Sequence, residues 1–292
     1  MSHRKTIRSD VDKWEVLDTK SEKELAFVQD LFIATDWGER FAELIDEHVK
    51  LPKKGQALYL NAGTGSHAIA LQERAGDELK FLLLDESKER LELARAKAAT
   101  IRAPAGFQPS SLESLDLEDE QFDLVLADGS LVAPERVPSM ISELVRVAQP
   151  GATVAFSLPT SSSFGEFFSI YWEALHNCGF IDHELDVETL ITELPTVSQV
   201  EEVVRCKGLE NIMSWTQIEE FDYDSGEGFI NSPLISDFLM KAWLKSVPEE
   251  FRQRVVREVE RLIDEERHNA EFSLTVKATL VMGRKVDLPL AG

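Results

Sequence analysis

Two glycines and an aspartate are the residues of this chain whose types and spacing best fit a chemical task. Gly63 and Gly65 follow a short apolar run, and Asp85, 20 residues after Gly65, closes a second one. Glycine lets the backbone turn tightly and approach a ligand closely. An acid at the end of the second strand accepts hydrogen bonds from two ribose hydroxyls. The glycines alone are equally consistent with an ordinary strand-to-helix turn, and Asp85 is the residue that favours a nucleoside site.

The elements around these residues follow the order that such a site requires. Residues 57–60 and 81–84 are apolar runs typical of buried strands. An alanine-rich helix starts near Ser66 and ends near Gly76, and its first turn directs free N–H groups at the glycine turn. The third glycine of a dinucleotide-binding turn would fall at Ala68, so the pattern fits only the relaxed form of that motif.

Further strands extend the predicted sheet. Residues 123–128 indicate a fourth strand, and residues 107–108 a short third one. Residues 152–158 are an unbroken apolar run, as expected for a strand covered on both faces. Residues 214–221 fit a sixth strand, and apolar and polar residues alternate along the last strand, 273–282.

Four motifs together resemble the class I S-adenosylmethionine (SAM)-dependent methyltransferase family. Residues 60–67 are similar to its first motif, and Asp85 matches its ribose-binding acid. Residues 120–128 are similar to its fourth strand, and residues 146–152 to the turn that leads into its fifth. The resemblance covers residues 55–158 and resumes at the last strand. It implies an α/β fold of the Rossmann-like class I methyltransferase type, with a mainly parallel seven-stranded sheet, an antiparallel last strand and helical lid insertions.

The resemblance also implies SAM as the cofactor and assigns residues to its site. Those assigned to cofactor binding are Asn61, Ala62, Gly63, Thr64, Gly65, Asp85, Glu86, Ser111, Leu112, Asp128 and Gly129. Asp128, at the exit of the fourth strand, is also the best placed catalytic residue, as general base for an acceptor that holds its proton tightly. His67 falls at a helix N-terminus, where the dipole disfavours the imidazolium, so a neutral His67 is expected to pack on the cofactor or donate one bond. No group of His, Cys and acidic residues has metal-ligand spacing, so no metal site is predicted.

The chain departs from the family pattern at three positions. The family often has an acid at the position of Asn61, a third glycine at that of His67 and an acid at that of Ser111. Asn61 can still bond the amino group of the methionine moiety through its carbonyl, but it supplies no countercharge. Glu113 is close enough in sequence to replace the acid that is missing at Ser111.

The same signals predict how the chain is divided. The predicted parts are an N-terminal helical segment at 1–54, a SAM-binding core at 55–158 completed by 196–222 and 270–286, and helical lid insertions at 159–195 and 223–269. Capping boxes at Ser21 with Glu24 and at Asp36 with Glu39 predict two leading helices. In the resembled family such helices lie beside the cofactor, and simple packing against the sheet is the alternative.

Both insertions leave the carboxyl ends of strands and are rich in aromatic residues. Ligands bind at that edge of an open parallel sheet. The insertions therefore predict two lids that close a largely apolar pocket over a small-molecule substrate. The alternative is that they enlarge the core or form a homodimer contact.

Composition narrows the class of partner and the compartment. The 292 residues carry 31 basic and 53 acidic side chains, a net charge of −22. Such a surface repels phosphate backbones and anionic membranes, so neither nucleic acid nor a membrane is an expected partner. With two cysteines, Cys178 and Cys206, a disulfide framework is not expected. With no apolar segment after the first residues, a cytoplasmic protein is predicted.

Three functions remain open at this stage. The first is SAM-dependent methyl transfer to a small-molecule acceptor by in-line displacement. The second is a catalytically inactive, methyltransferase-like protein that binds SAM or another nucleoside, which the three departures favour. The third is a dinucleotide-dependent oxidoreductase, which Asp85 alone permits and the antiparallel pattern of the last strand argues against.

Overall fold

A single sheet organises the part of the chain that the computed structural model describes, residues 20–101, 103, 105–179, 194–266 and 271–286. The strands are β1 (Gly55–Leu60), β2 (Leu79–Asp85), β3 (Gly106–Pro109), β4 (Phe122–Asp128), β5 (Ala148–Pro159), β6 (Leu209–Tyr223) and β7 (Phe272–Lys285). Their order in the sheet is β3-β2-β1-β4-β5-β7-β6.

The strand directions confirm the predicted fold class. The pairs β1·β2, β1·β4, β2·β3 and β4·β5 are parallel, whereas β7 runs antiparallel to both β5 and β6. Because β1 lies between β2 and β4, the ends of β2 and β4 flank the glycine turn on opposite sides. The predicted site residues on these strands therefore come to one edge of the sheet.

Strand β6 is longer than the predicted 214–221. It pairs with β7 along nearly its whole length, with one irregularity between Glu210 and Met213. Most of its side chains are polar and at least partly exposed, so its apolar pattern is weak at both ends. Pairing with β7, which the local sequence of β6 does not predict, extends β6 beyond residues 214–221.

Helices cover both faces of the sheet. They are α1 (Glu22–Val28), a π-helix (Gln29–Gly38), α2 (Glu39–His48), α3 (Ser66–Ala75), α4 (Lys88–Ile101), α5 (Val137–Val147), α6 (Gly165–Asn177), α7 (Val197–Cys206), α8 (Gly226–Asn231), a second π-helix (Leu234–Leu239), α9 (Met240–Trp243) and α10 (Glu249–Glu266). Side chains of β1 alternate between two buried clusters, with Ala57 and Tyr59 in one and Leu58 and Leu60 in the other. The N-terminal helices share the cluster of Tyr59.

The N-terminal helices form one unbroken helical segment, residues 22–48, which we call the cover segment. The capping box of Ser21 and Glu24 is present at its start, as predicted. The second predicted box, at Asp36 and Glu39, is wrong. Gly38 is helical (φ −62°, ψ −41°), and Asp36 accepts a hydrogen bond from Arg40 Nε at 2.8 Å instead. Because the π-helix continues directly into α2, no N-terminus exists there to be capped.

The aromatic residues of the two insertions pack against one another. Phe167 stacks on Trp243 with ring centroids 4.0 Å apart, and Phe229 packs on Phe167 at 5.7 Å. The Tyr171 hydroxyl donates to the Trp243 carbonyl at 3.0 Å. These contacts join α6 to the segment after β6 in one buried cluster. Residues 180–193 of the first insertion, which include His183, lie outside the described residues. Residues 1–19 lie outside them as well.

Candidate functional site

The glycine turn after β1 has the backbone conformation that its sequence predicts. Gly63 and Gly65 have φ values of +56° and +78°, a region that side chains disfavour. A Cβ atom at Gly65 would lie 2.7 Å from the Ala94 Cβ atom, so this glycine lets α3 pack on α4. A Cβ atom at Gly63 would lie 2.8 Å from Nε2 of Gln29 in the cover segment. Of the two glycines, Gly63 therefore faces the ligand side.

Asn61 connects the ends of two strands. Its φ of +56° is again left-handed, so a small polar residue stands where glycine would also fit. Its Nδ2 atom donates to the backbone carbonyl of Asp128 at 2.7 Å. The side chain amide therefore ties the end of β1 to the end of β4.

Asp85 is fully buried and its carboxylate holds the glycine turn. One oxygen accepts from the Gly63 N–H at 2.8 Å, and the other from the Ser87 N–H at 2.9 Å. Arg90 lies 3.3 Å from the second oxygen. Burial raises the pKa of Asp85, and Arg90 and the two N–H groups offset only part of that rise. In this structure the buried Asp85 carboxylate bonds the turn through both oxygens, and its assignment to the ribose hydroxyls stays a prediction.

The residues predicted for the other side of the nucleoside lie around Arg136. Arg136 donates to both oxygens of Glu86, at 2.6 and 3.0 Å, and pairs with Glu113 at 3.1 Å. These hydrogen bonds lower the pKa of Glu86. The Leu112 N–H also donates to Glu86, at 3.3 Å, and the hydroxyl of the exposed Ser111 accepts from the Glu113 N–H. Glu113, expected as a substitute acid, is thus already paired.

A cavity of about 420 Å³ opens between the glycine turn, the end of β4 and the cover segment. Of the predicted site residues, those lining it are Ala62, Gly63, Thr64, Gly65 and Asp128. Those outside its lining are Asn61, Asp85, Glu86, Ser111, Leu112 and Gly129. The volume falls within the range of about 300–1,000 Å³ that is usual for small-molecule sites.

The cavity is acidic. Glu39, Glu43, Asp46 and Asp128 line it, and no lysine or arginine belongs to the lining that the structure describes. Lys97, near its edge, donates to Thr64 and Ser66 and is paired with Asp30, so its charge is compensated. The lining therefore favours a cationic ligand over an anionic one.

Asp128 reaches the cavity at the end of β4. One of its oxygens accepts from the Ser130 N–H at 2.8 Å, and the Gly129 N–H donates to the Ser157 carbonyl at 2.7 Å. The surrounding protein desolvates the carboxyl and raises the pKa of Asp128. A raised pKa makes a carboxylate a stronger base, as its predicted role requires.

The cover segment is fixed to the sheet by polar contacts. Trp37 Nε1 donates to the Ser130 hydroxyl at 3.0 Å, and the Thr64 hydroxyl donates to Asp30 at 2.6 Å. The Oε1 atom of Gln29, which lines the cavity, is buried without a hydrogen-bond partner. A buried acceptor without a donor is costly, so a ligand that donates to Gln29 would satisfy it.

A chain of three side chains runs from the cavity to the surface. The Tyr59 hydroxyl lies 2.9 Å from His67 Nδ1, and His67 Nε2 lies 2.9 Å from Asp46 Oδ1. Arg74 contacts the same Asp46 oxygen from outside. His67 and Arg74 lower the pKa of Asp46 against the opposing effect of its partial burial. Tyr59, His67 and Asp46 all line the cavity.

The predicted lids do not line this cavity. No residue of 159–179 or 222–245 is part of its lining. The first insertion instead packs against the cover segment, since Phe164 stacks on Trp37 with ring centroids 6.3 Å apart. The aromatic residues of the insertions, which the sequence predicted to line a pocket, pack in the core. The cover segment bounds the cavity instead.

Sequence reasoning missed most of the residues that the cover segment and β1 add to the site. These are Gln29, Trp37, Asp46 and Tyr59. One signal was available for Tyr59, because a tyrosine within an otherwise aliphatic strand carries a polar group that needs a partner. The others come from a segment that no local pattern places over the glycine turn.

Other features bear on possible ligands and partners. Within the described ranges, no group of three or more His, Cys, Asp or Glu side chains is arranged to hold a metal ion. Over those same ranges, no helix combines the length and the apolar character needed to cross a bilayer. Cys178 is buried and Cys206 exposed, and both are free thiols.

Comparison with known proteins shows that the core is similar to methyltransferase domains. Residues 57–151 match a family model described as a methyltransferase domain. Norajmaline N-methyltransferase of Rauvolfia serpentina is 28% identical over 115 residues, which are 39% of this chain and 39% of that protein. Malonyl-(acyl-carrier protein) O-methyltransferase of Methylococcus capsulatus is 29% identical over 161 residues, 55% of this chain and 54% of that protein. The chain thus spans about half or less of either relative.

A solved structure matches over most of the chain. The YcgJ protein of Bacillus subtilis superposes with a TM-score of 0.56 at 16% identity, covering 86% of this chain and 100% of that one. At this level of identity the similarity concerns the fold. The similarity of fold therefore extends beyond the matched core.

Proposed function

We propose that this chain, whose residues 57–151 match a methyltransferase domain, is a class I SAM-dependent enzyme that transfers a methyl group from SAM to a small-molecule acceptor. The observation that carries the proposal is the acidic cavity beside the glycine turn. SAM has a sulfonium and an ammonium against one carboxylate, so it is a cation. Four carboxyl side chains without a lysine or arginine in the lining favour that charge and disfavour the pyrophosphate of a dinucleotide.

The residues present fit SAM. Gly63 has no side chain on the cavity side, where the adjoining Gln29 presents an acceptor that lacks a donor. The Asp85 carboxylate holds the glycine turn in place by accepting a hydrogen bond from the Gly63 N–H. We assign the methionine side of the cofactor to the cavity and its adenosine side to the region of Glu86 and Leu112.

Bound SAM supplies a methyl group that its positive sulfur has already activated. The task of the chain is then to align the acceptor and exclude water. The cover segment does the second, because the Trp37–Ser130 hydrogen bond joins its π-helix to the end of β4 beside the cavity. Asp128 is positioned to take the acceptor's proton, and its raised pKa suits that role.

A small acceptor is supported by the shape of the site and by the charge of the chain. The cavity is bounded by the cover segment, and the net charge of −22 opposes polyanions. The two relatives are named for a norajmaline and for a malonyl group on an acyl-carrier protein. We extend the first kind of acceptor, a free small molecule, to this chain as part of the proposal.

The test is a thermal-shift and calorimetric panel of SAM, S-adenosylhomocysteine, NAD and NADP. SAM and S-adenosylhomocysteine should stabilise the protein, and NAD and NADP should not. Stabilisation by NAD alone would replace the proposal with a dinucleotide-dependent activity.

Turnover needs a second experiment. The protein is incubated with SAM carrying a deuterated methyl group and with pooled small-molecule fractions, and labelled products are sought by mass spectrometry. An Asp128→Asn variant that still binds SAM is the control. Binding without any labelled product across chemically diverse fractions would favour the inactive, ligand-binding alternative.

A further inference from the structure

Sequence reasoning assigned the ammonium group of the proposed cofactor to the Asn61 carbonyl, and that assignment stays a prediction. Asn61 uses its amide N–H on the Asp128 carbonyl and lies outside the cavity lining. The cavity nevertheless contains a side chain from the same strand. Tyr59, two residues earlier in β1, directs its hydroxyl to the cavity side of the sheet.

For a neutral His67, the hydrogen bonds of the Tyr59 chain have one direction. Asp46 is an acceptor only, because its carboxylate is ionised, so His67 Nε2 must be the donor to it. In a neutral imidazole the other nitrogen, Nδ1, is then an acceptor. Tyr59 has a single proton, and it goes to that nitrogen at 2.9 Å. The phenolic oxygen keeps its lone pairs free to accept. The two successive hydrogen bonds, from Tyr59 to His67 and from His67 to the Asp46 carboxylate, polarise the phenol and strengthen that oxygen as an acceptor.

We infer that Tyr59, backed by His67 and Asp46, forms the subsite for the ammonium group of the methionine moiety. The inference rests on the proposed use of SAM. An ammonium has only donors, and the Tyr59 oxygen is an acceptor polarised through His67 by the Asp46 carboxylate, which lines the same cavity. The chain thus conveys to the cavity the negative character that Asn61 does not supply.

The position of the subsite follows from the strand order. Asp85 and Glu86 lie at the end of β2, on one side of β1, and Asp128 lies at the end of β4, on the other. A cofactor with its adenosine near β2 extends its methionine moiety across β1 towards β4. Tyr59 lies in β1 at that crossing, where burial, helped by the nearby Asp128 and Asp46 carboxylates, raises the pKa of its hydroxyl. The phenol therefore stays protonated and serves as an acceptor rather than as an anion.

A purely structural role for the same chain is the competing explanation. Asp46 lies in α2 and His67 in α3, so the contacts also hold the cover segment to the core. A structural role would affect every ligand of the cavity alike. Selectivity for the ammonium group separates the two explanations.

The experiment measures affinities by calorimetry for three probes. S-adenosylhomocysteine carries ammonium and carboxylate, its decarboxylated form keeps the ammonium, and 5′-methylthioadenosine lacks both. Tyr59→Phe should weaken the first two by about 10- to 100-fold, the scale of a hydrogen bond to a charged group, and leave 5′-methylthioadenosine within about twofold. Asp46→Asn should act in the same direction, and combining it with Tyr59→Phe should add little, because linked residues are not additive.

Two control variants are available. Tyr171→Phe removes a buried hydroxyl that bonds the Trp243 carbonyl outside the cavity, so it should leave all three affinities unchanged. Arg74→Met removes the outer partner of Asp46 and should preserve the preference for probes with ammonium.

The outcomes are distinguishable. Equal losses for all three probes in Tyr59→Phe, or an unchanged affinity for S-adenosylhomocysteine, would overturn the subsite and leave the proposed function standing. A wild-type protein that binds 5′-methylthioadenosine as tightly as the decarboxylated form would do the same. A wild-type protein that binds none of the probes would overturn the proposed function and the subsite with it.

Discussion

Asp85 illustrates, at the scale of single residues, how a carboxylate can stabilise a turn to which it does not belong. Replacing Asp85 by Ala leaves the Gly63 and Ser87 N–H groups without their acceptor. We expect the free energy of unfolding to fall by about 1–3 kcal/mol, the cost of leaving buried polar groups unsatisfied. Urea unfolding measures it, with Asp119→Ala, which removes an exposed partner of Arg146, as a control expected to change stability little.

An Asp85→Ala protein with an unchanged unfolding midpoint would show that the turn does not depend on the carboxylate. If such a protein also lost nucleoside affinity, Asp85 would face the ligand, as the sequence alone indicates. The two measurements together therefore decide between the buried arrangement and the open one.

Asp128 gives a prediction about pH. Burial raises its folded pKa above the ordinary carboxyl value, which the unfolded chain retains. Between those two pKa values the folded state holds more protons than the unfolded state, so this group lowers stability as pH rises through the window. Asparagine does not titrate. The stability of Asp128→Asn relative to wild type should therefore increase with pH across the window and stay constant above it.

Glu86 provides the control of opposite sign. Its hydrogen bonds to Arg136 lower its folded pKa, so its contribution is present above the unfolded pKa and is lost as pH falls through the folded one. Glu86→Gln should thus lose stability relative to wild type as pH rises. Parallel pH curves for the two variants would contradict both assignments.

Single residues were predictable from sequence where one local geometry requires one residue type. Gly63 and Gly65 have the positive φ values that glycine favours, and Asp128 lies at the end of its strand beside the cavity. The partners of Asp85 and Glu86 were not predictable. Arg136 is 50 residues from Glu86 in sequence, and only the fold brings the two together.

At the scale of elements, the cover segment is the part of the site with the most to test. Trp37 fixes it through one hydrogen bond to Ser130 and through packing on Phe164 and Phe221. Trp37→Phe keeps most of the packing and loses the bond, so we expect a loss of about 0.5–1.5 kcal/mol. Hydrogen exchange of the amides in 29–48 should become faster, because local opening of the cover becomes easier.

Trp172→Phe is the matched control for that variant. Trp172 is 41% exposed on α6 and stacks on His176, away from the cavity. Its replacement should leave exchange in the cover segment unchanged. Faster exchange in the aromatic cluster of the insertions rather than in 29–48 would mean that Trp37 stabilises the core and does not hold the cover.

Helices and strands were predictable where the periodicity of apolar residues and the order of the segments along the chain indicate the same structure. The apolar runs, the glycine turn and the alternation of β7 each specify a local structure, and their order specifies the sheet. The cover segment was predicted as two capped helices because a π-helix has no distinct sequence signal. The insertions were predicted as lids because aromatic content alone does not distinguish a pocket lining from a core.

At the scale of the whole molecule, the charge of −22 and the acidic cavity act on a ligand in the same direction. SAM is a cation and S-adenosylhomocysteine is neutral overall, so the potential of the chain favours SAM. Part of that preference comes from charges far from the cavity. Their effect is screened beyond a Debye length, which is about 10 Å at 0.1 M salt and about 3 Å at 1 M.

The preference for SAM over S-adenosylhomocysteine should therefore fall as salt is added, by a factor on the order of ten between low and high ionic strength, given surface potentials of several kT. Calorimetry of both ligands across a sodium chloride series measures the ratio. The affinity of S-adenosylhomocysteine itself is the internal control and should change little, since it carries no net charge. A ratio that is constant across the series would place the whole preference in contacts inside the cavity, where salt screens weakly, and would remove the surface charge from any role in choosing between cofactor and product.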